Sequence, residues 1–177
     1  MQNTTGLRAI PGYTHYEKLA DATAWYNDAV SFHDAAIASH PAHEPASDEF
    51  RVFAFNAAIS LELVTKGILV AENKVIPKTR KLRRLAEAAA ITSDAGQLLT
   101  IDLLHDVIIW FGKYPGPGTR KEWGEFQAAI LRHHKVRLQP GIGATKRADE
   151  RSFPSKANYM RLWQACMATY RRATAAG

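Results

Sequence analysis

The run ILRHHKVR, residues 130–137, sets a guanidinium beside two imidazoles: Arg132, His133 and His134. Cleaving RNA without a metal needs a base for the 2′-hydroxyl proton and an acid for the leaving oxygen, and histidine has the pKa nearest to both tasks. An adjacent arginine would stabilise the charge that builds at phosphorus. Neighbouring residues point about 100° apart around a helix, so both imidazoles would meet one phosphate only if two copies of the chain faced each other. The plainer reading is a basic helix end placed favourably against the helix dipole.

Lys78, Arg80, Lys81, Arg83 and Arg84 form the densest basic cluster, and Lys135 and Arg137 carry the same chemistry downstream. Such side chains contact phosphates, and an aromatic face at Trp110, Tyr114 or Trp123 would either stack a base or belong to the core. Glu62 and Lys66 stand four apart, so carboxylate and ammonium can meet along a helix. They form either a solvated pair or a partly buried one that registers neighbouring helices. His40, His43 and Glu44, with His33 and Asp34 upstream, have types that suit zinc, but a proline-bearing loop fixes no geometry, and no metal is expected. His105, beside Asp102 and Asp106, reads as a half-buried helix histidine. No phosphate-binding glycine loop, nucleophile elbow, Cys-x-x-Cys pair or dinucleotide fingerprint occurs, so no cofactor is implied.

The elements that must position these groups are helices. In residues 50–71, Phe50, Phe53, Ala57, Leu61, Val64 and Ile68 recur at three- and four-residue spacing. A second row, Phe55, Ile59, Leu63 and Val70, leaves only a polar strip of Asn56, Ser60, Glu62 and Lys66. A helix apolar on most sides must be covered on most sides. Ser47 is its expected N-cap and Pro77 enforces the break after it. The same periodicity predicts helices over about 13–38, 81–90, 93–113 and 155–173. Thr119 with Glu122 has capping-box spacing for a further helix through about residue 134. The expectation is an all-α, antiparallel up-and-down bundle of about five to six helices in a single domain over 1–177. Residues 1–12 read as an arm and 139–153 as a mobile surface loop, with almost no strand anywhere.

At 177 residues and 46% hydrophobic, the chain can bury a core without staples. The single cysteine, Cys166, forms no internal disulfide, which points to a reducing cytoplasm. The N-terminus lacks the apolar core of a secretory peptide, and Asn56, Glu62 and Lys66 interrupt the longest apolar run, so no membrane association is expected. Net charge is +6, unevenly spread: residues 1–50 hold two bases against seven acids, net −5, which leaves +11 for the rest. An acidic first helix before a basic body points to a polyanion partner, an acidic protein, or a second copy of the chain.

Residues 57–87, AAISLELVTKGILVAENKVIPKTRKLRRLAE, resemble the HEPN superfamily of small helical bundles. The resemblance lies in Glu62-Leu63 with Lys66 on a helix, the turn at Pro77, and the Thr79 to Leu82 entry into a short helix. Lys113-Tyr114-Pro115-Gly116 resembles a turn after a long helix in some members, so about residues 50–116 are covered. The resemblance implies an antiparallel bundle, frequent homodimerisation, and kinship with RNA-cleaving toxins and defence proteins. Active members carry Arg, four to six residues, then His at a late helix. That spacing occurs here only from Arg8 to His15, in the arm, so the standard catalytic motif is not found. The expected function is an RNA-associated or partner-binding protein of prokaryotic defence or toxin–antitoxin type. The alternatives are a metal-independent ribonuclease using Arg132, His133 and His134, or a non-catalytic protein-interaction module.

Overall fold

The computed structural model describes residues 15–39, 48–111, 119–139 and 143–175. They form a helical bundle of α1 (His15–Ala20), α2 (Ala22–Ala38), α3 (Asp48–Ala71), α4 (Leu82–Ala88), α5 (Ala95–Phe111), α6 (Arg120–Arg132) and α7 (Lys156–Ala175). A hairpin, β1 (His134–Gln139) and β2 (Gly143–Ala148), is inserted between α6 and α7. The arm over residues 1–12, Ser47, and the stretch holding His40, His43 and Glu44 lie outside the described residues.

The expected apolar face of α3 is the core: Phe50, Phe53, Ala57, Leu61, Val64 and Ile68 are all buried, against α2, α4, α5 and α7. The second row, Phe55, Ile59 and Leu63, is partly buried against the same cluster. Among the described residues, α3 is the one helix long and apolar enough to cross a membrane, a length that its polar residues do not interrupt as expected. Some 72% of that window is covered by the bundle.

Small residues set how closely α2 approaches. Ala29, Ala36, Ala54, Ala57 and Ala58 are fully buried, and a Cβ added at Gly67 would meet the Trp25 Cβ at 3.1 Å and the Ala22 carbonyl at 3.4 Å. Trp25 beside Gly67, with His33 linked through Tyr159 to Ser60, shows that α2 and α3 run antiparallel.

Local chemistry marks several of the helix ends. Asp21 breaks the expected first helix in two and caps α2, its side chain accepting from the Thr23 amide at 2.8 Å. α3 closes with Asn73 in the left-handed region (φ 54°), where Lys74 N–H reaches the Leu69 carbonyl at 2.8 Å and Asn73 N–H the Val70 carbonyl at 3.0 Å. α4 closes in the same way on Ala90 (φ 52°), with Ile91 N–H donating to the Ala86 carbonyl at 2.9 Å. Asp94 and Gln97 exchange side-chain and backbone bonds at 2.8 Å to start α5, and Thr119 and Glu122 form the expected capping box of α6.

The hairpin corrects two expectations. α6 stops at Arg132 rather than near residue 134, and much of the stretch read as a mobile loop is β2, paired antiparallel from His134 opposite Ala148 to Gln139 opposite Gly143. The signal was short: Val136 and Leu138 alternate with Lys135, Arg137 and Gln139 ahead of Pro140-Gly141.

Candidate nucleic-acid interface

Between Lys74 and Arg84 the chain carries six cationic side chains and no acid. The connection from α3 to α4 and the outer side of α4 present them. Leu82, Leu85 and Ala86 turn inward and are buried, which leaves Lys78, Arg80, Lys81 and Arg84 exposed. Lys78, Lys81 and Arg84 have no ion-pair partner among the described residues, so their charge is open to an incoming anion.

The other cations of the cluster are engaged. Arg83 forms a two-pronged pair with Asp102 of α5, Nε to Oδ1 at 2.9 Å and Nη2 to Oδ2 at 2.5 Å, and this bond pushes the guanidinium pKa up. Arg83 therefore ties α4 to α5, where the sequence alone placed it with the phosphate-binding side chains. Arg80 lies with its Nε 3.5 Å from Glu62 Oε2. Glu62 is 4% exposed and meets Lys66 Nζ at 2.6 Å, so the pair is largely buried rather than solvated. The Lys66 ammonium also stands 5.5 Å from the centre of the Trp25 ring on α2.

The Arg132, His133, His134 constellation does not assemble on a helix. Arg132 is exposed at the end of α6, His133 is the buried C-cap, and His134 opens β1. The His133 Nδ1 stands 3.1 Å from the Ser152 carbonyl, an acceptor, so that nitrogen carries its proton. The same carbonyl accepts from the Thr100 hydroxyl at 2.8 Å. His133 thus helps to join α5, α6 and the turn before α7, and is withdrawn from chemistry at the surface. Lys135 and Arg137 lie on β1, in register with Arg147 and Thr145.

His105 is half-buried, as expected, and its Nδ1 is buried without a hydrogen-bond partner among the described residues. Beside it, burial pushes the Asp106 carboxyl pKa up, against the opposing pull of His105 and Arg132. Among the described residues no group of three or more potential ligands could hold a metal ion. Trp123 is exposed on α6, free of the core role that the sequence allowed it. Tyr114 and the Trp110 side chain lie outside the described set.

One polar chain went unforeseen. His33 Nδ1 and the Tyr159 hydroxyl are 2.6 Å apart, the Tyr159 and Ser60 hydroxyls 2.8 Å, and Ser60 donates to the Ala57 carbonyl at 2.8 Å. One proton arrangement satisfies all three bonds: Ser60 donates to Ala57, Tyr159 to Ser60, and His33 Nδ1–H to Tyr159. His33 stacks on Trp163 at 4.2 Å, and burial lowers its pKa against the pull of Asp34. The partners are 27 and 126 residues from His33, and the readings of His33 as a loop-flanking ligand and of Ser60 as part of a polar strip pointed elsewhere. No spacing rule links them.

No protein-family model, no curated protein and no solved structure matches this chain.

Proposed function

We propose that this chain is a HEPN-like, RNA-associated protein that binds without cleaving, working as a homodimer in the cytoplasm in a prokaryotic defence or toxin–antitoxin setting. The observation that carries the binding reading is the set of exposed cations with no ion-pair partner among the described residues, Lys78, Lys81 and Arg84, on a stretch without an acid. The ribonuclease alternative, with Arg132, His133 and His134, finds no support in a buried His133 whose Nδ1 serves Ser152. The acidic protein partner is the rival for the same surface, and salt separates the two. The dimer rests on the division of charge between the acidic first fifty residues and the basic remainder.

The deciding experiment is anisotropy of a labelled oligouridylate titrated with the whole protein across a salt series. Each phosphate contact to a single strand contributes roughly 0.7 to the slope of log affinity against log salt. Replacing Lys78, Lys81 and Arg84 together by alanine is therefore expected to flatten the slope by about 2. Binding that ignores salt, or a triple variant that keeps the parent slope, would overturn the reading.

A further inference from the structure

The two oxygens of Glu62 are unequally served. Oε1 accepts from the Lys66 ammonium at 2.6 Å, whereas Oε2 is buried with no hydrogen-bond donor among the described residues. Its counter-charge is Arg80, an ion pair at 3.5 Å without a directed hydrogen bond. The Arg80 side chain is 63% exposed and stands in a connection without regular structure. Lys66 cannot replace it, being held by Oε1 on one side and the Trp25 ring on the other. A nearly dry carboxylate thus relies, at one oxygen, on an arginine that belongs to the phosphate-facing surface. Removing that partner leaves buried charge less compensated.

We infer that Glu62 is an internal competitor for Arg80 that sets which anions the surface accepts. A phosphate that takes Arg80 must draw it off Glu62. An isolated phosphate gains one cation and leaves the carboxylate exposed to that loss. An extended phosphodiester chain engages Lys78, Lys81 and Arg84 as well and outweighs it. Glu62 therefore lowers affinity overall and shifts preference from small phosphates to single-stranded RNA of several nucleotides. The inference rests on the RNA-binding reading above.

The test uses the full chain, the labelled oligouridylate and, as competitor, inorganic phosphate. Glu62→Gln is expected to bind the oligonucleotide about two- to fivefold tighter, the range of a half-exposed ion pair. Its salt slope is expected to stay near the parent's, because the strand engages Arg80 in both, and inorganic phosphate is expected to compete better. Glu62→Asp, which keeps a buried acid but draws it back from Arg80, is expected to share part of the gain and guards against misfolding of the glutamine variant. Adding Arg80→Ala should erase the gain in either background. Variants that match the parent, or a gain that survives Arg80→Ala, would overturn the competition while leaving RNA binding intact. A parent that ignores the oligonucleotide would overturn the RNA reading itself, and this inference with it.

Discussion

α3 is covered by four helices, whereas α6 packs mainly on α5 and β1. On α3 the first apolar row, Phe50 to Ile68, goes inward throughout, although Val52 is 50% exposed. Among the described side chains of α6, Ala129 and part of Ile130 do, while Trp123 and Leu131 remain exposed. The first region is held by volume, the second by a few polar joints at its ends: the Thr119 and Glu122 box, and His133 with Thr100 on the Ser152 carbonyl. A stripe rule reports on the first kind of stability and is silent on the second.

The largest test of that contrast sets one side chain against itself. Leu61→Ala on α3, 4% exposed, is expected to cost about 2 to 5 kcal/mol. Leu131→Ala on α6, 49% exposed, should stay within about 0.5 kcal/mol. Urea melts giving similar losses would erase the distinction.

The joint is probed next. A Cβ at Gly96 would sit 2.5 Å from the Arg151 carbonyl, a backbone atom that cannot swing aside. Gly96→Ala is expected to cost about 1 to 3 kcal/mol. A neutral result in the same melts would mean that the turn before α7 is not pressed against α5.

A pH series separates the polar joints from the apolar core. Burial holds the His33 pKa below its unfolded value, so the unfolded chain takes the proton first. Stability is then expected to fall as pH drops through about 6.5 and to keep falling until the folded pKa is passed. The loss should be smaller in His33→Asn, and an unchanged pH profile in that variant would remove His33 as its source. The smallest effect is local: Ala90 holds a left-handed backbone at α4's end, so Ala90→Gly should stabilise by about 0.5 to 1 kcal/mol in thermal melts.

The sequence made the bundle legible because apolar spacing is written residue by residue along α3, α5 and α7. It made the basic strip legible because charge is additive and local. It hid the pairing of Arg83 with Asp102 and the chain from His33 to Ser60, since both are fixed by how helices meet. It also misassigned residues 134–148, where a helix-favouring reading of His133 and His134 masked a short alternation. The HEPN resemblance rests on residues 50–116, and its dimer remains a proposal. Light scattering that finds only a 19.6 kDa species at micromolar concentration would count against it.

The Ser152 carbonyl gathers protons from residues 52 and 19 positions away along the chain. Such a joint cannot exist until a long loop has closed, and loop closure costs entropy before any bond is made. The α2 and α3 pair, consecutive in the chain and packed through alanines, needs no partner from beyond residue 71. The joint is accordingly expected to form late in folding. Gly96→Ala should leave the refolding rate nearly untouched and show its whole effect as faster unfolding, the arm of a chevron that reports contacts absent from the transition state.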